Sequence, residues 1–449
     1  MNNYSHWATQ DEIKKRLKEI SSKNTLNQSG IPLFYQNNSA YIDDSEMHNL
    51  IIGSTGSGKT QAFILPMISL SKKAHESMVI NDPYGELYKV CANNLQKDGY
   101  QTIALDFNEG KYGNNWNPLS LIYHYYKNKE HDLALRLIED LGYYLFYNQN
   151  KEMDPFWTNT TIDYFTGLVL YLFENASKEE INILSVYSLN NQIKEQKKLE
   201  EFLSNIKKDS DIYYYLAGTL EAPSETKGSI LSVFNQKIKK YISRKNFLNM
   251  LCNEDFSVNQ LYEKPTVVFL INGESDYANS LIPLFISQVI ECSSKRKEKK
   301  RMNLLLDEFD SMVPIKNFAS MIQYCRTISI RFTITIKSYA HLSYLYGEEN
   351  AKILRYCFGN LIYLLSEDIP TIEEFSKYCG TIKESDKEIP LISVEELRTL
   401  NTFEAVISML RMKPIKTTLI PFYKFKWEDS QEMIDIPIRE EKEIQEYKN

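Results

Sequence analysis

Short apolar runs alternate with helical patterns in the first quarter of this chain. The run His48–Ile52 precedes a glycine-rich loop, and the runs Ser77–Asn81 and Gln101–Asp106 follow, with helical spacing between them. Continuous apolar runs of this length are typical of strands that are buried on both faces of a parallel sheet. Because strands that alternate with helices require crossover connections, we predict an α/β fold with a central, mostly parallel sheet.

The middle of the chain has a different pattern. From residue 118 to residue 256, apolar positions recur with helical spacing, and few segments have the period of a strand. Strand patterns then return at Thr266–Ile271, Met302–Leu306, Ile330–Ile336, Asn360–Leu364 and Ala405–Arg411. A candidate edge strand follows at Thr417–Phe425. We therefore predict that an all-α domain interrupts the α/β domain.

These patterns give the predicted domain boundaries. The prediction is an N-terminal segment over 1–45, an α/β domain over 46–117 and 257–427, an all-α domain over 118–256, and a charged C-terminal tail over 428–449. Within the first segment, Gln10–Ser22 has the spacing of a short helix with Ile13, Leu17 and Ile20 on one face. A helix docked on the protein surface is favoured, and attachment to a membrane or a partner stays open.

Composition narrows the class of protein. The 449 residues are 43% hydrophobic and 25% charged, which is the balance of a soluble globular protein with more than one domain. The net charge of −7 does not indicate a nucleic-acid binder overall, although a local basic surface is compatible with it. No apolar run approaches the roughly 18 residues of a membrane-spanning helix, and residues 1–11 lack the pattern of a signal peptide. The six cysteines and six histidines have no metal-binding spacing.

The loop after the first strand indicates phosphate binding. It fits the pattern Gly-x-x-x-x-Gly-Lys-Ser/Thr with the residues Gly53, Ser54, Thr55, Gly56, Ser57, Gly58, Lys59 and Thr60. The glycines let backbone N–H groups point at phosphate oxygens, and the following helix adds the positive end of its dipole. We expect Lys59 to reach the β and γ phosphates of ATP and the Thr60 hydroxyl to bind Mg²⁺.

A second motif supplies two carboxylates. The apolar strand pattern that begins at Met302 ends in Asp307 and Glu308. We expect Asp307 to hold Mg²⁺ through its water shell and Glu308 to orient and deprotonate the attacking water. Alone this pattern is weak, since many strands end in acids. Together with the phosphate loop it predicts an ATPase.

The order of further motifs resembles that of the type IV secretion coupling proteins, the ATPases that bring DNA or protein substrates to conjugation machines. The resemblance extends from about residue 45 to about residue 425, and order over that length is more specific than any single motif. The segments that carry it are His48–Ile52, Asn81–Tyr88, Trp116–Leu119, Asp154–Trp157, Asp307–Phe309, Tyr346–Gly347 and Asn360–Leu364.

The resemblance implies a fold, an assembly and a substrate. The fold would be a RecA-like nucleotide-binding domain interrupted by an all-α domain. The active form would be a homo-hexamer in which an arginine from the neighbouring subunit completes each site. Arg326 matches the family position of that arginine, and Arg331 is the second candidate. The implied partners are single-stranded DNA with an attached relaxase and the proteins of the type IV secretion channel.

The chain also departs from the family pattern. Lys337 stands where the family commonly has a glutamine that senses the γ-phosphate, and Tyr84 replaces a lysine. Family members usually carry two transmembrane helices before the loop, whereas 52 residues precede it here. We therefore expect a cytoplasmic protein at the inner face of the bacterial membrane, which uses a separate membrane anchor protein or docks peripherally and is a monomer in isolation.

Two other functions stay open. Lys337 and Tyr84 would suit a substrate receptor or scaffold that binds nucleotide but turns it over slowly. A DNA-pumping ATPase outside secretion, of the chromosome-segregation kind, is the other. The basic run Lys295–Arg301 could contact DNA phosphates, but the solvated end of a helix is favoured because helix C-termini attract cations.

Overall fold

The computed structural model describes residues 4–21, 26–146, 154–193, 196–273, 278–297, 300–384, 387–425 and 432–448. Within these ranges the strands are β1 Lys18–Ile20, β2 Ile31–Gln36, β3 Ser39–Asp43, β4 His48–Gly53, β5 Ser77–Asn81, β6 Gln101–Asp106, β7 Thr266–Ile271, β8 Met302–Leu306, β9 Ile330–Ile336, β10 Phe358–Leu365, β11 Thr381–Glu384, β12 Lys387–Pro390, β13 Glu404–Met409 and β14 Ile415–Thr418.

In the same ranges the α-helices are α1 Gln10–Arg16, α2 Leu65–Lys73, α3 Glu86–Lys97, α4 Ser120–Lys127, α5 His131–Phe146, α6 Pro155–Asn175, α7 Ile183–Gln192, α8 Gln196–Ser204, α9 Asp211–Leu220, α10 Ser224–Ile242, α11 Lys245–Cys252, α12 Gln260–Glu263, α13 Ala278–Ser294, α14 Phe318–Cys325, α15 Tyr339–Tyr346, α16 Glu348–Cys357, α17 Ile369–Cys379 and α18 Val394–Arg398. A π-helix over Thr60–Ile64 precedes α2.

The main sheet has nine strands in the described chain, in the order β14-β13-β10-β4-β9-β8-β5-β7-β6. From β10 to β7, neighbouring strands run parallel, and β13 and β14 add antiparallel pairs at one edge. Every residue of β4, β5, β8 and β9 is buried, as expected for strands covered on both faces. The predicted α/β fold with a central, mostly parallel sheet is confirmed.

The last strands differ in detail from the prediction. A strand was expected over Thr417–Phe425, but β14 ends at Thr418 and a 3₁₀ turn forms at Phe422–Lys424. Pro421 directly precedes that turn, and proline has no N–H with which to continue a ladder. The last strand therefore ends before Phe425, where the predicted strand ends.

The N-terminal helix is shorter than its pattern. A helix was expected over Gln10–Ser22, whereas α1 ends at Arg16 and the following residues form β1, which pairs with β3. Ile13, Leu17 and Ile20 are all buried, with at most 4% of each residue exposed. Because this apolar face is already covered within the protein, the structure favours the docked role over membrane attachment.

The described chain forms two compact units. The first comprises residues 1–102, 261–270 and 292–435, and it contains the glycine-rich loop and the acidic pair of Asp307 and Glu308. The second comprises residues 103–260, 271–291 and 436–449. Its core is built around α6, which packs against α5, α9 and α10. The predicted helical insertion is thus present, and the domain boundaries drawn from the sequence stay a prediction.

The end of the chain was expected to be a charged tail over 428–449, of which 428–431 and 449 lie outside the described residues. In the second unit, Arg439 donates hydrogen bonds to Asn115 Oδ1 at 2.5 Å and to the carbonyl oxygen of Gly110. Asn249 Nδ2 donates to the Lys442 carbonyl oxygen at 2.5 Å. These contacts hold the segment along the helical unit.

Among the described residues, no helix combines the length and the apolar character needed to cross a membrane.

Candidate nucleotide-binding site

The glycine-rich loop lies at the carboxyl end of β4, between β9 on one side and β10 on the other. Gly56 and Gly58 have φ values of +82° and +90°, which glycine adopts without strain. A Cβ atom at Gly53 would crowd the side chains of Ser57 and Lys59, so the first glycine of the motif leaves room for both. The sequence motif therefore folds into the tight loop that it predicts.

The helix after the loop begins in an unusual way. Its first turn, Thr60–Ile64, is a π-helix, and regular α-helix begins only at Leu65. Short π segments are rare and occur frequently at functional sites. The sequence predicts a helix here, but no periodic pattern distinguishes a single π turn from an α turn. A helix start favours an anion, because the positive end of the helix dipole lies there.

Lys59 folds back onto its own loop. Its Nζ atom donates to the carbonyl oxygens of Gly53 at 2.7 Å and Ser54 at 3.0 Å. Burial lowers the pKa of Lys59. The nearby carboxylates, Asp307 foremost, raise this pKa, and the positive charge of Lys337 lowers it. Lys337 therefore lies close enough for Lys59 to feel its charge.

The loop and the acidic strand meet at one hydrogen bond. Thr60 Oγ1 donates to Asp307 Oδ2 at 2.8 Å. The other Asp307 carboxylate oxygen accepts from Thr335 Oγ1 at 2.6 Å, and its carbonyl oxygen accepts from Asn81 Nδ2 at 2.6 Å. Sequence reasoning missed Thr335 and Asn81. The available signal was a polar residue at the carboxyl end of each neighbouring apolar strand.

Glu308 has a left-handed backbone, with φ +51° and ψ 43°. Its N–H donates to Thr335 Oγ1 at 2.9 Å and to Asp307 Oδ1 at 3.1 Å. A residue with a side chain pays about 1–2 kcal/mol for this conformation. Such strain collects at functional sites, where the surrounding contacts enforce it. The half-buried Glu308 therefore has a constrained backbone directly after β8.

The end of β9 is fixed to the turn that follows Glu308. The Lys337 N–H donates to Asp310 Oδ2 at 2.9 Å, and the Lys337 carbonyl oxygen accepts from Ser366 Oγ at 3.1 Å. The Lys337 side chain is exposed. Its backbone position is therefore well defined, whereas the ammonium group lies at the end of a flexible chain.

The two candidate arginines have opposite environments. Arg326 is exposed at the start of a 3₁₀ turn after α14. Arg331 is 1% exposed, and it donates to Asn303 Oδ1 at 3.0 Å and to Ser29 Oγ at 2.8 Å. Burial lowers the pKa of Arg331 to about 10. Arg331 is therefore a core residue that cannot reach a neighbouring subunit, and the role of Arg326 stays a prediction.

Two other sequence features have structural explanations. Asp82 accepts hydrogen bonds from the N–H groups of Leu87 at 3.1 Å and Tyr88 at 2.8 Å, so it caps α3, while Tyr84 is 62% exposed.

In the basic run, residues 298 and 299 lie outside the described chain. Arg301 is 6% exposed and donates to Ser29 O at 2.8 Å. The run is therefore not solvated throughout, because its last residue is a structural one.

The donor set fits a triphosphate with Mg²⁺. In the described chain, Ser57 Oγ and Asn81 Oδ1 are buried without a hydrogen-bond partner. Other buried atoms without a partner lie elsewhere in the described chain, so these two are compatible with a bound group but do not require one. The oxygens of Thr60 and Asp307 are the hard ligands that Mg²⁺ prefers. The loop, the acidic pair and Lys59 are therefore the candidate site for a nucleotide and its metal.

The chain matches the family described as type IV secretory system conjugative DNA transfer over residues 6–383. No curated protein sequence is similar enough to count as a match.

Solved structures of one plasmid coupling protein, TrwB, have a similar fold. TrwB with the non-hydrolysable analogue ADPNP has a TM-score of 0.69 at 16% identity, covering 97% of this chain and 95% of that chain. TrwB with ADP and Mg²⁺ has a TM-score of 0.69 at 17% identity with the same coverage. An unbound form has a TM-score of 0.68 at 16% identity, covering 94% and 96%. These likenesses confirm the predicted RecA-like fold with its all-α insertion.

Proposed function

The chain belongs to the type IV secretory system conjugative DNA transfer family, and we propose that it is an ATP-hydrolysing coupling protein. In this role it recruits a DNA–relaxase substrate and helps to move it into a secretion channel. The observation that carries the ATPase proposal is the 2.8 Å hydrogen bond between Thr60 and Asp307. It places the phosphate loop and the acidic strand at one site, although they are far apart in sequence. TrwB structures with ADPNP and with ADP and Mg²⁺ support ATP and Mg²⁺ as the ligands.

The loop residues Gly53–Thr60 would cradle the triphosphate with their backbone N–H groups. Lys59 would leave the carbonyl oxygens of Gly53 and Ser54 and donate to the β and γ phosphates instead. Thr60 would hold Mg²⁺ directly and Asp307 through the water shell. When bound, Mg²⁺ would offset the charge of the phosphate oxygens.

Glu308 would accept a proton from the water that attacks the γ-phosphorus. The bond between that phosphorus and the β–γ bridging oxygen breaks, which releases ADP and phosphate. Thr335 fixes this geometry, because its hydroxyl bonds both the Glu308 N–H and the Asp307 carboxylate. The backbone of Glu308 is thereby held next to the Asp307 carboxylate.

Arg326 would complete the site of a neighbouring subunit. Its exposed position at the surface of the first unit supports this role, which requires a side chain that extends away from its own core. In this proposal the active form is a homo-hexamer, and the isolated chain is a monomer until nucleotide and DNA are present.

The partners follow from the family. We infer that single-stranded DNA with a covalently attached relaxase is the substrate and that channel proteins of the secretion system receive it. A separate membrane protein would anchor the chain at the inner face of the cell membrane.

A second candidate function is a substrate receptor with little turnover. The observation that favours it is the exposed Lys337, a flexible point charge at the position where the family commonly has a glutamine. Steady-state ATP hydrolysis with and without single-stranded DNA separates the two functions. A motor hydrolyses ATP faster when DNA is added. A receptor binds ATP and DNA, but its low rate of ATP hydrolysis is the same with and without DNA.

A further inference from the structure

An aromatic ring lies against the glycine-rich loop. A Cβ atom at Gly58 would lie 2.6 Å from Cε1 and 3.0 Å from Cδ1 of Phe403. The half-buried ring therefore occupies the space that any side chain at position 58 would need. Phe403 is far from the phosphate loop in sequence, and no motif singled it out.

The backbone of Phe403 is strained. Its φ is +69°, a left-handed value that bulky residues rarely adopt. Neighbouring hydrogen bonds hold it there: the Leu419 N–H donates to the Phe403 carbonyl oxygen at 2.8 Å, and the Glu404 N–H donates to the Asn401 carbonyl oxygen at 2.9 Å. A strained aromatic residue that is held against a binding loop points to a role in binding.

The strand order indicates which part of a nucleotide Phe403 would meet. The groups expected at the γ-phosphate, Glu308 and Lys337, follow β8 and β9, which lie on one side of β4. Phe403 directly precedes β13, which lies on the other side of β4 beyond β10. A triphosphate with its γ end toward β8 and β9 must leave the loop with its nucleoside toward β10 and β13.

A second segment lies on the same side. The 3₁₀ turn Phe422–Lys424 follows β14, the edge strand beyond β13, and contacts the π-helix Thr60–Ile64. Tyr423 in this turn is 68% exposed. On this side, Phe403 lies against the loop at Gly58, and the turn that contains Tyr423 lies against the first turn of the following helix.

We propose that Phe403 is the platform on which the nucleotide base stacks, and that it gives the site its affinity for a nucleoside triphosphate above that for a bare triphosphate. This inference rests on the proposed nucleotide-binding function. An aromatic face suits the role because every base has a π face with which to stack. The competing role is a purely structural prop for the loop at Gly58.

Binding to two probes separates the roles. Isothermal titration calorimetry would compare MgADPNP with magnesium tripolyphosphate, which has no base, for the wild type, Phe403→Leu and Phe403→Trp. Loss of base stacking in Phe403→Leu is expected to weaken ADPNP binding about tenfold or more, with tripolyphosphate unchanged. Phe403→Trp keeps an aromatic face and should retain the ADPNP affinity.

Other outcomes overturn the inference. If Phe403→Leu weakens the binding of both probes equally, the ring only supports the loop, and if it weakens the binding of neither, the ring contributes nothing to binding.

A measurement on the wild type covers the case in which the variant does not fold. The fluorescence of 2-aminopurine riboside triphosphate should be quenched on binding if its base stacks, and an unquenched bound signal contradicts stacking. If the wild type binds neither probe, the proposed function itself fails, which is a distinct result.

Discussion

Thr335 Oγ1 lies 2.6 Å from Asp307 Oδ1, and it also accepts the Glu308 N–H at 2.9 Å. One hydroxyl at the end of β9 thus holds both carboxylate residues that follow β8. This bridge links the residue expected beside the metal to the residue expected to activate water. It also explains how Glu308 keeps its left-handed backbone.

Thr335→Val tests the bridge, because valine keeps the shape of threonine and removes the hydroxyl. Hydrogen bonds to charged groups contribute about 1.5–3 kcal/mol, so kcat for ATP hydrolysis should fall about tenfold or more with little change in KM. The matched control is Thr333→Val in the same strand, whose hydroxyl accepts from Asn49 Nδ2 at 2.8 Å outside the site. That control should lower the melting temperature but keep kcat. Equal losses of kcat in both variants would show that Thr335 acts only through stability.

Lys337 is expected to distinguish ATP from ADP. Its backbone is fixed by Asp310 and Ser366 at the end of β9, beside the strand that ends in the acidic pair, and we expect its flexible ammonium group to contact a γ-phosphate. Lys337→Ala should weaken binding of an ATP analogue about tenfold and leave ADP binding nearly unchanged. Lys352→Ala, at an exposed position on α16, is the control for loss of one surface lysine. A parallel loss of ATP and ADP affinity would place Lys337 away from the γ-phosphate.

The two arginines should fail in different ways. Arg331→Ala leaves Asn303 Oδ1 without its Arg331 donor and removes a buried positive charge from beside Glu76 and Asp43. It should therefore lower the free energy of unfolding by about 3 kcal/mol or more. Arg326→Ala should leave the melting temperature unchanged and reduce DNA-stimulated ATP hydrolysis about a thousandfold. Full activity of Arg326→Ala under conditions that give oligomers, checked by mass measurement, would remove its proposed role in the neighbouring site.

Asp82 should make stability depend on pH. Burial raises the pKa of Asp82 from 3.8 to about 6, although the N–H groups of Tyr88 and Leu87 partly oppose this. Between those two pH values the folded chain binds more protons than the unfolded chain, so the free energy of unfolding falls as pH rises through this window. Asp82→Asn does not titrate. The stability of the wild type relative to this variant should therefore fall by up to about 3 kcal/mol from pH 4 to pH 7. A difference that is constant with pH, measured by urea denaturation, would contradict the raised pKa.

The parts of the site that the sequence predicts are those set by local chain order. The loop Gly53–Thr60 follows a strand and opens a helix, and the acidic pair ends a strand, so periodicity and glycine spacing were enough to find both. The same holds for the helical insertion, whose period differs from that of the flanking strands.

The parts that escaped prediction depend on contacts between distant segments. Thr335 and Asn81 act on Asp307 from neighbouring strands, and a single sequence does not fix strand order. Helix α1 ends early because the residues after it pair with β3, a contact that overrides their helical spacing. The burial of Arg331 against Asn303 also depends on distant segments, so the sequence alone does not exclude Arg331 as the arginine that completes a neighbouring site.

The most direct test of the central claim is steady-state ATP hydrolysis by the wild type and by Glu308→Gln, with single-stranded DNA present and ATP binding measured alongside. The amide keeps the size of the side chain but cannot accept the proton of the attacking water. Both proteins should bind ATP with similar affinity, and hydrolysis by the variant should be at least about a hundredfold slower. Equal rates of hydrolysis in the two proteins, with both binding ATP, would contradict the assignment of Glu308 and with it the ATPase mechanism.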